Sequence, residues 1–364
     1  MSNSPFLVQG SGSRRSRAAA RRRRRRLLGA GVLATVLAAV VVVLMIGRSD
    51  AKHGSASAST ATSRRAHAHA RNAPFATPIR SPAGLALGHP PLSLDLSAGD
   101  DPVQIAFHHP PRAGLLFNLD TGRVLWQLNP LERLHMASLT KMMTALRVVR
   151  TTPSGAPVRI TRGAVEAAGS KVGVLPLGKN VPVETMLYGL LLPSGNDAAV
   201  ALAQHVSGSV SAFVAGMNAE AARLGLSCTH YTSPSGYFNA HNYTCAADLA
   251  ELAHVDIQQP RIAGIVHAAS AVLPFPIKTG KLYLYNNNPL LVYHYPGATG
   301  MKTGYTELAG DCLVGTAERN GVRLGVVLLH SPELGRQAEY LLNAGFQEVY
   351  RQAPIPAPPV PPGR

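Results

Sequence analysis

The 364-residue sequence predicts an α/β domain in which strands from both ends of the folded segment form one antiparallel sheet, with helices inserted between them. Two strand-turn-strand patterns carry that expectation, together with the helix-period stretches that separate them. The first pattern runs through residues 113–119, a tight turn at Asp120-Thr121-Gly122, and residues 123–128. The second runs through residues 312–316, a turn at Asn320-Gly321, and residues 322–329.

Between the two hairpins the pattern becomes helical. Residues 134–149 hold no Gly or Pro and are rich in Met, Leu and Ala, so a helix is expected over that run. In residues 212–224, Phe213, Met217 and Ala221 recur four apart and define a core stripe. Residues 243–252 suggest a further helix, and residues 334–345 a closing one. No internal repeat is present.

The remainder of the chain has a different composition. Residues 1–26 are polar and end in six consecutive arginines, and residues 27–46 are 20 uncharged positions, long enough to cross a bilayer as a helix. The basic block before that run orients the N-terminus to the cytoplasm and everything after it to the outside. A cleaved signal peptide would have a shorter apolar region followed by a small-x-small site, whereas Gly47-Arg48-Ser49-Asp50 follows here, so an uncleaved anchor is expected. Residues 47–103, rich in Ala, Ser, Pro, His and Gly, are expected to be a linker. The folded domain is expected over 104–351 and a Pro-rich extended tail over 352–364.

The formal charge of +16 raises the question of nucleic acid. Residues 1–103 carry 15 Lys/Arg against 4 acids, and the rest of the chain 20 against 15. The excess therefore sits mostly outside the expected folded part. No zinc-finger spacing or aromatic-basic interleaving accompanies it, so no nucleic-acid partner is expected. The cysteines, Cys228, Cys245 and Cys312, lack metal-type spacing. In an oxidising compartment Cys228 and Cys245 could pair, and Cys312, within an apolar stretch, is expected to be buried and free.

Chemistry enters with Ser138 and Lys141, three apart on the expected helix and therefore on one face. A serine hydroxyl needs a neighbour to take its proton, and a lysine can do so only as a neutral amine, its pKa lowered by burial or a nearby positive charge. Ser-x-x-Lys alone is common. Here it is followed by Ser194-Gly195-Asn196 and by Lys302-Thr303-Gly304. A first Lys-Thr-Gly, at 278–280, lacks the Gly-x-x-Gly lead-in of the second and precedes Asn286-Asn287-Asn288-Pro289, so it is set aside.

With the flanking residues 190–199 and 297–306, the three motifs resemble those of the serine-type D-alanyl-D-alanine carboxypeptidases, the low-molecular-mass penicillin-binding proteins. The resemblance covers about 104–351. It implies a transpeptidase/β-lactamase-like fold: a five-stranded antiparallel sheet flanked by helices, plus an all-helical subdomain, with the active cleft between them. It implies Ser138 as nucleophile, Lys141 as general base, Ser194 as proton relay to the leaving amine, and Asn196 holding Lys141 and the substrate amide. It further implies that Lys302 keeps the cleft positive, that Thr303 binds the substrate's terminal carboxylate, and that Gly304 lets the substrate lie close to the strand. By the same resemblance, the backbone N–H groups of Ser138 and Tyr305 are expected to form the oxyanion hole.

The implied partners are peptidoglycan stem peptides as substrate and β-lactams as covalent inhibitors, with the membrane engaged through the N-terminal helix and no metal or cofactor. The expected location is the cell membrane, single-pass, with the catalytic domain outside the cytoplasm. Cys245 stands where the family has Thr or Ser, and Tyr237 where it has Leu. His230, His241 and His294 are expected to be surface or structural. Rival readings on the same motifs are a D,D-endopeptidase and a β-lactamase. The latter needs a deacylating glutamate, and only Glu220 and Glu251 lie between Ser194 and Lys302. A non-catalytic wall-binding scaffold is the rival of a different class.

Overall fold

The computed structural model describes residues 80–97, 101–237 and 240–352. The expected basic tail and anchor, and all but the first residue of the expected Pro-rich tail, lie outside the described residues.

The first hairpin forms as β1 (Ala113–Asn118) and β2 (Val124–Leu128). After it come a two-residue strand β3 (Leu134–His135), a 3-10 turn (Ala137–Leu139) and helix α1 (Thr140–Thr151). A small pair, β4 (Pro157–Arg159) and β5 (Asn180–Pro182), brackets the short α2 (Arg162–Val165). The helical part continues with α3 (Val183–Leu191), α4 (Asn196–Ser207) and α5 (Val210–Arg223). β6 (Tyr243–Thr244), α6 (Ala246–Ile257), α7 (Pro260–His267) and the hairpin β7 (Ser270–Pro274)/β8 (Lys281–Tyr285) follow. The chain closes with α8 (Pro289–Val292), strands β9 (Ala298–Thr306), β10 (Gly310–Arg319) and β11 (Val322–Leu329), and α9 (Leu334–Gln352).

The central sheet has five antiparallel strands in the order β2-β1-β11-β10-β9, so the first and the last hairpin of the folded segment meet at β1–β11, as the paired hairpin patterns predict. The β10–β11 turn is tight because Asn320 and Gly321 both take positive φ, 49° and 77°, the turn whose twist matches the strands it joins. Both sheet faces are buried. Leu115, Phe117, Val314 and Val327 pack with the helical part, and Leu116, Leu313, Val326 and Leu328 pack under Leu341, Leu342 and Phe346 of α9. That double burial explains why β11 reads as an apolar run from Leu324 to Leu329.

Two boundaries differ from the expectation. The helix expected from residue 134 begins only at Thr140, because Leu134–His135 pair with Tyr243–Thr244 and Ala137 takes φ 47°. A left-handed residue cannot continue a right-handed helix. In the same way, β6 occupies the first two positions of the helix expected over 243–252, and α6 starts after it. The folded body also starts earlier than Gln104. Residues 80–97, assigned to the linker by composition, pack on it: Leu92 is buried, its N–H donates to Glu251 Oε2 (2.7 Å), and Leu94 and Leu96 lie against the core. The alternation Leu92-Ser93-Leu94-Asp95-Leu96 is the period-2 signal that the Pro-, Ser- and Ala-rich surroundings obscure.

Cys228 and Cys245 form a disulfide with a Cα–Cα distance of 5.6 Å, and Cys312 is buried and free, its thiol pushed up to about 12 by burial. The bridge closes a loop with a sequence separation of 17. Cross-linking a loop of that length removes unfolded-state entropy, and a Cys228→Ser/Cys245→Thr double variant is expected to lose about 3 kcal/mol of stability. Urea unfolding of the two proteins checks this. An equal loss on reducing the wild type would tie the effect to the bond.

Candidate active site

Ser138 lies in the middle of the 3-10 turn and Lys141 in the first turn of α1. Side chains three apart eclipse in a 3-10 turn, which brings the amine under the hydroxyl. Lys141 Nζ donates to Ser138 Oγ (2.7 Å), Asn196 Oδ1 (2.8 Å) and the Ser235 carbonyl (3.0 Å). All three amine contacts are therefore to neutral oxygens, on a side chain with no exposed surface. Burial drives the Lys141 pKa well below its ordinary value, the charge of Lys302 lowers it further, and Asp197 opposes the shift. The larger cause is thus the loss of water, with the second lysine contributing after it.

Asn196 opens α4, and its amide is oriented at both ends: Oδ1 accepts from Lys141, and Nδ2 donates to the Ala168 carbonyl (2.7 Å). Asp197, next in the helix, accepts the Val172 N–H at 3.0 and 3.1 Å and holds the 168–172 loop over this end of the site. Gly195 is required by the same contact, since a Cβ there would meet Val172 Cγ2 at 2.5 Å and Asp197 Oδ1 at 2.6 Å. Ser194 takes φ 67°, and its Oγ is buried without a hydrogen-bond partner among the described residues. An unpartnered hydroxyl lining a cleft is a group held ready for a ligand.

β9 is the edge strand of the sheet and carries Lys302, Thr303, Gly304 and Tyr305. Its outer edge leaves backbone groups for an extended peptide to pair with. Lys302 is buried, donates to the Thr303 carbonyl (2.9 Å), and has its pKa lowered to about 7 by burial. Gly304 also meets a neighbour within the protein. A Cβ there would lie 2.9 Å from the Met136 carbonyl and 3.0 Å from Ser138 N, so the close approach is to the nucleophile turn. Gly304 also lines the cleft, and Tyr305 is 64% exposed beside it.

A cleft of about 780 Å³ gathers Ser138, Ser194, Thr303, Gly304 and Tyr305 on one wall system, while Lys141, Asn196 and Lys302 lie buried behind it. All eight residues singled out from the sequence are accounted for by this cleft and its backing. Sequence reasoning missed Ser235, whose contribution is a backbone carbonyl, and Asn242, whose Nδ2 donates to Thr140 Oγ1 (2.7 Å) while Thr140 Oγ1 donates to the Ala137 carbonyl (2.8 Å). A carbonyl has no residue signature. Pro234-Ser235-Gly236 is legible only as a turn. Asn287, in the Asn-rich stretch that served to choose between the two Lys-Thr-Gly copies, and Arg336, which carried no signal, also line the cleft.

The set-aside motif at 278–280 is exposed, at the turn of the β7/β8 hairpin. His230 Nδ1 bonds the His241 carbonyl (2.8 Å), and none of His230, His241 and His294 lines the cleft. Among the described residues, the one cluster with metal-type spacing is Cys228, Cys245 and Asp248, and its two sulfurs are bonded to each other.

The arrangement is suited to acyl transfer: a hydroxyl against a buried amine, a second cation, and an open strand edge. Comparison with known proteins agrees with that chemistry. The chain is 33% identical to D-alanyl-D-alanine carboxypeptidase DacF of Bacillus subtilis over 255 residues, 68% of this chain and 64% of the relative, so it spans just under two thirds of that protein. It is 35% identical to D-alanyl-D-alanine carboxypeptidase DacB2 of Mycobacterium tuberculosis over 65% of this chain and 82% of the relative. Its fold matches the Streptomyces K15 DD-transpeptidase with a TM-score of 0.63 and 32% identity, over 67% of this chain and all of that one. The sequence pattern of one family matches residues 104–333, the span that holds the Ser138–Lys141 turn, the Ser194 loop and the β9 edge, and the chain thereby belongs to the D-alanyl-D-alanine carboxypeptidase family of serine peptidases.

Proposed function

We propose that this chain is a serine-type D-Ala-D-Ala carboxypeptidase that removes the terminal D-alanine from peptidoglycan stem peptides. The observation that carries the reading is the 2.7 Å contact between Ser138 Oγ and a fully buried Lys141 amine whose pKa is depressed. As a neutral amine, Lys141 accepts the Ser138 proton while Oγ bonds to the carbonyl carbon of the penultimate residue. The C–N bond then breaks, and Ser194 passes a proton to the departing D-alanine amine. Water resolves the ester by the reverse relay. The Ser138 and Tyr305 N–H groups carry the oxyanion, and Lys302 with Thr303 receives the terminal carboxylate. β-Lactams enter as substrate mimics and acylate Ser138.

The enzyme is anchored by residues 27–46, with its catalytic domain outside the cytoplasm. Support for this is the uncharged 20-residue run behind six arginines. The described residues contain no single helix long and apolar enough to span a membrane. The β-lactamase reading finds no support in the two candidate glutamates. Glu220 is tied to Arg150 and Arg223, Glu251 accepts the Leu92 N–H, and neither lines the cleft.

Fluorescent penicillin tests the reading. Wild-type protein is expected to retain the label through denaturation and Ser138→Ala to retain none. A muropeptide pentapeptide is expected to lose the mass of one alanine, and a cross-linked dimer to persist. Label on Ser138→Ala, or an unlabelled wild type, would overturn the assignment. Cleavage of the dimer in preference to the pentapeptide would make the enzyme an endopeptidase.

A further inference from the structure

A second cavity, of about 460 Å³, lies just past the C-terminal end of β9 and has no role in the scheme above. Leu308 and Ala309 form one side, from the turn that follows β9, and His135, three residues before the nucleophile, forms another. Its polar lining is cationic or titratable: Arg112, Arg133, His135 and His330, with Tyr243 beside them and no carboxylate. Glu132 neutralises Arg112 (2.7 Å). Arg133 makes no ion pair among the described residues, and the buried Asp248 is the carboxylate its charge acts on. Its guanidinium lies over the Tyr243 ring (5.8 Å) and donates to the Ser227 carbonyl (3.2 Å), which holds it in place without cancelling its charge. The Nδ1 atoms of His135 and His330 face the Asn242 and Ala309 carbonyls (3.5 and 3.2 Å).

The direction of the substrate decides what meets this cavity. The inference rests on the reading under Proposed function. If the terminal carboxylate sits at Lys302 and Thr303 and the reacting carbonyl at Ser138 and Tyr305, the peptide runs antiparallel to β9. Its upstream residues then extend past Thr306 toward Leu308. β9 ends one residue beyond Tyr305, at Thr306, and the chain turns over 307–309, so a peptide extended along the strand edge at about 3.4 Å per residue reaches the turn within two or three residues.

We propose that the cavity is a subsite for a carboxylate carried by the substrate two or three residues upstream of the scissile bond, with Arg133 as its main cation. A guanidinium already stacked on an aromatic ring is preorganised for a carboxylate, and less freedom is lost when the contact forms. The subsite sets specificity and takes no part in the chemistry. β-Lactams with short side chains stop before it.

The test compares peptides ending in D-Ala-D-Ala that carry either a carboxylate or the matching carboxamide on the third or fourth residue from the C-terminus. Wild type is expected to cleave one carboxylate peptide with roughly tenfold higher kcat/KM than its carboxamide twin, the preference shrinking with added salt. Arg133→Gln is expected to erase that preference. It should leave kcat/KM for the carboxamide peptide, and acylation by benzylpenicillin, within about twofold of wild type. Equal cleavage of both twins by wild type, or an equal loss on both in Arg133→Gln, would overturn the subsite while penicillin labelling left the active-site reading standing. A wild type that neither labels nor cleaves would overturn both.

Discussion

Lys141→Met is expected to lower the rate of penicillin acylation by ~10³-fold, the loss typical when a general base is removed. Methionine keeps the volume of a side chain that has no exposed surface, so the packing of α1 on the helical part is retained. The Asn196 Oδ1 and Ser235 carbonyl contacts to Nζ disappear, which costs about 1–3 kcal/mol for each acceptor left unpaired. Stopped-flow acylation, with a thermal melt to show that the variant is folded, separates the two effects. The same pair of lysines predicts the pH dependence. Activity rises with pH as Lys141, its pKa well below the ordinary value, gives up its proton. It falls again as Lys302 loses its own near about 7, because a neutral Lys302 no longer attracts a carboxylate. A bell in kcat/KM is therefore expected for a peptide with a free C-terminus. Lys302→Gln, or a substrate with an amidated C-terminus, should lose the falling limb; the rising limb is kept with the amidated substrate and moves to higher pH in Lys302→Gln, where the charge that lowers the Lys141 pKa is gone. A falling limb that survived in Lys302→Gln would assign it to another group.

Gly236→Ala is the second large effect. Gly236 has φ 76°, and a Cβ would lie 1.8 Å from the Ala137 carbonyl oxygen and 2.4 Å from Thr140 Oγ1. The obstacle is backbone of the turn that presents Ser138, so accommodation must move the nucleophile. A displacement of the order of 1 Å suffices for a ~10²-fold loss in acylation rate. Strain at positive φ and the overpacking together should lower stability by about 2–3 kcal/mol. Gly208→Ala is the control, since Gly208 has φ 73° at the end of α4 with no atom within 4 Å of a Cβ. It should cost about 1 kcal/mol and leave acylation unchanged. Equal acylation losses in the two variants would show that the collision with the turn is not what matters.

These two positions mark where reading the sequence stops. Ser138 and Lys141 were legible because residues three apart share a face in either a 3-10 turn or an α-helix, so the spacing survived an error about which one forms. Ser194, Asn196 and Lys302–Tyr305 were legible as motifs. The two hairpins were legible because strand period and turn chemistry are local. Ser235 was not, because it acts through a carbonyl. The packing of residues 80–97 was written in one short alternation inside a loop-like composition.

The sequence alone determined the residue types, their order and the local periods: which hydroxyl, which amines, which strands. The tertiary structure decided that the Lys141 amine has its pKa depressed, because that depends on exclusion of water by helices far apart in the chain. It also decided that Ala137 is left-handed, with the tight approaches of Gly236 and Gly304 closing around the turn. Burial and close approach are sums over distant contacts, and no local pattern encodes them.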